Sequence, residues 1–184
     1  MSNEITGNLL VATPSMDQTP LKQSVCLVLH QDDSQVVGVM LNRPIEGEFD
    51  QGSDASDETL EMLARQGLHL GGPSAGPILA LHNCEALGEV KTGTGLYVAA
   101  TRDRVEKVLS HDLRCRLVVG HMQWSVEELH EQLNKGCWAV VPAAPDSIFL
   151  PDDSMWMTML RKANSFHLAS LVGAKHIPAH PALN

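Results

Sequence analysis

The sequence predicts a mixed α+β fold, and three observations carry that expectation. Short apolar runs rich in Val and Leu, bounded by turn residues, have the look of strands. Two of these runs flank an Asp-Asp-Ser turn and predict an early hairpin. Further on, apolar residues recur at helical spacing behind Ser, Thr and Asp caps. Strands and helices mix without the strict alternation of a doubly wound sheet.

In chain order, "NLLVA" (8–12) predicts a first strand that Pro14 stops. "SVCLVLH" (24–30) is nearly all apolar, as a strand buried on both faces would be, and "QVVGVML" (35–41) returns antiparallel to it. Asn42-Arg43-Pro44 ends the hairpin, because the residue before proline is held extended. Ser56 predicts a helix cap, with Leu60, Leu63 and Ala64 facing inward and Gly67 closing the helix. "LHL" (68–70), "PILALH" (77–82) and "GLYVAA" (95–100) are further strands. Thr101 predicts the cap of a helix that buries Val105, Val108 and Leu109. A strand–helix–strand unit follows over 115–143, in which Ser125 and Glu128 form a capping box and Gly136 terminates the helix. A last helix starts near 152–154 with Trp156, Met159, Leu160 and Ala163 inward. The expectation is one domain over 1–173, followed by a loose tail over 174–184 that holds two prolines.

Composition narrows the function. The 184 residues carry 13 Lys and Arg against 22 Asp and Glu, a formal net charge of -9. That field repels phosphates and anionic membranes, no basic run offsets it, and no basic recognition helix follows a helix-turn. Direct nucleic-acid binding is therefore not expected. Residues 46–61 hold seven carboxylates and no base, without the spacing of a calcium loop. The four cysteines form no C-x-x-C pair, which predicts reduced thiols and a cytoplasmic location. No membrane span and no basic-then-apolar leader are visible.

Gly72-Pro73-Ser74-Ala75-Gly76 spells G-x-S-x-G, the nucleophile elbow of serine hydrolases. An elbow needs a helix after the serine, whereas Pro77 and the apolar run behind it predict a strand. Pro73 and Pro77 also remove backbone donors that an oxyanion hole would use. A hydrolase using Ser74, with His82, His111, His121 or Asp103 as partners, stays as the alternative reading. Zinc at His82 and Cys84, joined by His30 or His69, lacks paired ligand spacing, so neither metal nor cofactor is expected. "TGTG" (92–95) lacks the lysine of a P-loop. Arg43, on its rigid corner, suits a carboxylate or phosphate, but an internal salt bridge with a nearby acid is the favoured expectation.

The chain resembles the AlgH/YqgE family of bacterial proteins. "GNLLVATPSM", "QSVCLVLH" and "GVMLNRP" carry the N-terminal likeness, "LGGP" and "LALH" the middle. "GHMQW", "LHEQLNKGCWAVVPA", "IF" and Trp156 complete it over residues 7–160. Leu21, Glu127-Glu128, His130, Gln132 and Ala144 depart from the pattern. The resemblance implies a bifurcated, partly barrel-like sheet surrounded by helices. It brings a label of transcriptional regulator and no catalytic residues, cofactor or ligand. The expected function is non-enzymatic binding of a protein partner or small anionic ligand, with any regulation indirect; the alternative is a regulator acting on nucleic acid. The expected surface combines Asn42 and Arg43 with the Gly71-Gly72 turn.

Overall fold

The structure, a computed structural model, describes residues 5–46, 65–111 and 113–171, the side chains of 169–171 excepted. The predicted helix cap at Ser56 and the tail over 174–184 lie outside these residues. Arg65 and Gln66 are helical, and Gly67 follows them at φ +75°, a left-handed stop.

The predicted hairpin forms. Strand β1 (Asn8–Ala12) pairs with β2 (Val25–Gln31), which pairs antiparallel with β3 (Gln35–Met40). Asp32 shapes the turn: its Oδ1 accepts from the Ser34 and Gln35 amides at 2.8 and 2.9 Å. These bonds, the Ser34 amide foremost, hold its carboxyl well below the usual carboxylate range.

Strands β4 (Leu68–Leu70), β5 (Ser74–His82), β6 (Val90–Lys91), β7 (Tyr97–Ala99), β8 (Cys115–Ser125) and β9 (Trp138–Pro142) complete the sheet. The order is β6-β7-β5-β8-β3-β2-β1-β9, with β4 branching off β8. The strands of the predicted 115–143 unit are thus not neighbours; β3, β2 and β1 lie between them. Leu9 and Val141 from one end of the sheet share a core with Leu81 and Val98 from the other, so the sheet curls around it.

Four helices cover the sheet among the described residues: α1 (Arg102–Ser110), α2 (Val126–Asn134), the short α3 (Pro145–Ile148) and α4 (Asp152–Leu171). Met155, Met159 and Ala163 of α4 seal the inner core with Leu9, Leu27 and Val39. Leu129 of α2 packs on the other face with Leu10, Cys26 and Trp124. Val105, Val108 and Leu109 of α1 cover Ala80, Ala99 and Leu117.

Two caps differ from the sequence expectation. Ser125 accepts from the Glu128 amide at 3.0 Å, but the Glu128 carboxylate accepts from Gln132 rather than reaching back. At α1, Thr101 makes no side-chain cap. Glu89 supplies it instead, its Oε2 accepting from the Ala100 and Thr101 amides at 2.5 and 2.7 Å. The sequence also gave no sign of β6, too short to show a period, or of α3.

The glycines mark where the sheet splits. The first half of β8 carries β4 in parallel, register Leu68↔Leu117 to Leu70↔Val119, while its second half carries β3. Gly120 sits between them at φ +75°. Val118 faces the α4 core and Met122 the opposite α2 core, although strict alternation would keep them on one face. The left-handed Gly120 takes up that flip.

Candidate functional site

The two predicted corners meet at this split. The Leu70 amide donates to the Arg43 carbonyl at 2.7 Å and the Ile45 amide to the Leu68 carbonyl at 2.8 Å, with Pro44 bridged to His69. Gly71 joins both branches: its carbonyl accepts from the Met40 amide and its amide donates to the Val119 carbonyl, each at 2.7 Å. Asn42, Arg43, Gly71 and Gly72 therefore belong to one junction. Gly72 is required there because a Cβ would lie 2.2 Å from the His121 carbonyl.

Their polar atoms face inward. The Asn42 side chain, 7% exposed, accepts from the Val25 amide at 3.0 Å and donates to the Gln23 carbonyl at 2.8 Å. The expected salt bridge of Arg43 is absent among the described residues. Its guanidinium donates instead to the Asn42 carbonyl at 3.2 Å, the Lys22 carbonyl, and the Ser24 hydroxyl at 3.0 Å. Backbone carbonyls left over by the 22–25 turn outcompete carboxylates because they are already in place. Both Nη2 hydrogens are occupied, so neither fork edge remains for bidentate grip on an anion.

Beneath the junction lies a cluster that sequence reasoning missed. Arg116, 8% exposed, donates through Nε to the Ile148 carbonyl at 2.5 Å and through Nη2 to the Leu150 carbonyl at 2.6 Å. Its Nη1 reaches the Leu41 carbonyl at 2.7 Å and Asp152 Oδ1 at 2.5 Å. The His69 Nε2 lies 3.0 Å from Asp152 Oδ2 and 2.8 Å from the same Nη1. His69 Nδ1 lies 3.2 Å from the Leu117 carbonyl, an acceptor only, which places a proton on Nδ1. For Asp152, burial pushes the carboxyl up, and the hydrogen bond from Arg116, with the His69 ring beside it, more than offsets it, leaving it below the usual carboxylate range. One guanidinium thus ties β3, β4, β8 and the start of α4 together. A lone arginine inside the apolar run "CRLVVGH" was the available signal.

The elbow geometry is not there. Ser74 opens strand β5, and an extended chain leaves it. His121 is its cross-strand partner, and a Cβ on Gly76 would lie 3.2 Å from His121 Nδ1, so the ring rests on the bulge at Gly76. No hydrogen bond joins the Ser74 hydroxyl to an imidazole among the described residues. His82 is fully buried, and its Nδ1 accepts from the Cys84 amide at 3.2 Å. A metal-bound histidine donates through its second nitrogen, so this bond opposes ligation through Nε2. Among the described residues no three His, Cys, Asp or Glu side chains are grouped to hold a metal. "TGTG" packs rather than binds: Thr92 donates to the Val28 carbonyl at 3.1 Å, and a Cβ on Gly7 would lie 2.5 Å from Gly93 Cα.

A mainly antiparallel sheet, curled into a half-barrel, split at one strand and clad by helices, defines the structural class. The comparisons place it further. A model of the AlgH-like family matches residues 9–166, and the chain belongs to that family. It is 25% identical to a UPF0301 protein of Chlorobium chlorochromatii, over 97% of this chain and 94% of the relative. It is 28% identical to a UPF0301 protein of Thermobifida fusca, over 98% and 96%. Among solved structures it is similar to the AlgH protein of Pseudomonas aeruginosa, TM-score 0.67 at 18% identity, covering 97% of this chain and 98% of that one. Protein DIP2367 of Corynebacterium diphtheriae gives TM-score 0.68 at 21% identity, covering 88% of each. Among the described residues no helix is long and apolar enough to cross a membrane.

Proposed function

We propose that the chain is a non-enzymatic, cytoplasmic protein that binds a protein partner through the junction, and that any regulatory effect passes through that partner. One observation supports this reading above the others. The polar atoms of Asn42, Arg43 and Arg116 serve the fold, while Ile45 and Leu70, on the same paired segments, stay 38% and 42% exposed. A rigid corner that offers apolar side chains and keeps its charges internal suits a protein surface better than a small anion. The net charge of -9 weighs against nucleic acid. The four free thiols fit a reducing compartment.

The test is affinity capture from the native host with wild type beside I45D and L70D, each checked for unchanged thermal stability. A partner held by wild type and lost from both variants supports the reading. A partner set identical in all three rejects it. Release of a bound small anion from gently purified wild type would revive the anion reading.

A further inference from the structure

His82 is fully buried on the face of β5 that α1 covers, and its Nε2 has no hydrogen-bond partner. The other nitrogen, Nδ1, accepts from the Cys84 amide at 3.2 Å. That bond fixes the single proton of the neutral ring on Nε2, a donor without an acceptor in apolar surroundings. A second proton has only Nδ1 to go to. It would confront the Cys84 N–H, break the bond that holds the chain entering the 3-10 turn Glu85–Leu87, and leave a cation beside Ala80, Leu117 and the inner face of α1.

Among the described residues, the groups around the ring offer that cation no counter-charge. From β7, Tyr97 stacks on it with centroids 6.4 Å apart and planes at 25°. From β8, its register partner is Cys115, whose thiol burial pushes up to about 11. Helix α1 turns Val105, Val108 and Leu109 inward and keeps Arg102, Asp103 and Lys107 exposed; Arg104 and Glu106 are half-buried. Arg104 reaches the Ala86 carbonyl, and Glu106 pairs with Arg102. Glu85 of the 3-10 turn and Lys91 of β6 are exposed. The Glu89 carboxylate is taken by the Ala100 and Thr101 amides. Burial is the dominant influence on the ring and holds its pKa below the usual histidine value.

We propose that His82 is a proton-operated latch: taking up a second proton, it releases the segment from Cys84 through β6 together with α1, while the faces under α2 and α4 stay closed. The release uncovers Leu68, Ala80 and Leu117, apolar surface continuous through β4 with the exposed Leu70. The stack on Tyr97 and the Cys84 bond are what the neutral ring holds shut.

The experiment combines imidazole nitrogen NMR with amide hydrogen exchange on wild type and H82F, from pH 7.5 to 5. Wild type should show the Nε2–H tautomer of His82 at the upper end. On acidification its amides over 85–91 and 102–110 should lose protection, after correction for intrinsic exchange. The limit is roughly tenfold per pH unit, the most one proton can drive. Amides of β1–β3 and α4 should hold. H82F, which lacks the Cys84 bond at every pH, should show lower protection over 85–91 and 102–110 that does not change with pH beyond intrinsic exchange. Equal pH dependence in the two proteins overturns the proposal. So does a wild-type His82 that takes up its second proton while those amides remain protected, a readout that needs no variant to fold.

Discussion

The backbone of Gly71 lies so close to that of Gly120 that a Cβ on Gly71 would stand 2.3 Å from the Gly120 carbonyl oxygen. Neither neighbour is a side chain that could swing away. The two glycines therefore set the distance at which β4 leaves the sheet beside β3, and the junction depends on both. G71A is expected to cost about 3 kcal/mol or more, the upper range for overpacking. G120A adds a Cβ at φ +75° that meets the Gly72 and Ser74 carbonyl oxygens at 2.8 Å and should cost a similar amount. Urea unfolding of each variant checks this; a loss under about 0.5 kcal/mol, the usual surface effect, contradicts it.

Arg116 is expected to be structural throughout. R116M strips donors from the Leu41, Ile148 and Leu150 carbonyls and leaves Asp152 without its strongest partner. A loss of about 2–4 kcal/mol follows, because three carbonyls lose their donor while the carboxylate left behind is one-third exposed and partly solvated. Part of it should appear as early exchange at the start of α4, whose first residue is Asp152.

Acid should weaken the same cluster. The folded Asp152 carboxyl sits below its ordinary value, so its contribution is complete above about pH 4 and fades as pH falls further. D152N should be less stable than wild type at neutral pH and should show a shallower fall in stability below pH 4. Parallel curves for the two proteins would show that Asp152 carries no such linkage.

Glu89 is expected to act as the cap of α1 from a distant segment. E89A removes the acceptor of two helix-start amides and should cost about 0.5–2 kcal/mol, the range for a lost N-cap. T101A should cost less, because the Thr101 hydroxyl only donates to Glu89 at 2.8 Å. The reverse ranking in thermal melts would restore Thr101 as the cap.

Much of this fold could be read in the sequence because local rules decide it. Asp32 and Ser34 make the hairpin turn with their own atoms, and Ser125 and Gly136 bound α2 as cap and stop. The 70–82 stretch was legible as a turn into a strand because Pro77 and the apolar run exclude a helix. The junction was legible in part: two corners following strands suggested convergence, and they are hydrogen-bonded neighbours. What failed was long-range pairing. Arg116 finds Asp152 across 36 positions and His69 across 47, and no local pattern encodes either distance. The Arg43 expectation finds no acid among the described residues, and its carbonyl partner at Lys22 lies 21 positions away. Glu89 capping α1 from outside the helix belongs to the same class.

The central claim is that the polar residues of the junction hold the fold and its apolar residues hold a partner. The most direct measurement sets R43K beside L70D, reading urea stability and retention of the captured partner for each. R43K should lose about 1–3 kcal/mol, as the guanidinium fork to Lys22, Ser24 and Asn42 is gone, yet keep the partner where it remains folded. L70D should keep its stability and lose the partner. The opposite pattern, a stable R43K that no longer binds and an L70D that does, would place recognition on the guanidinium and contradict the account.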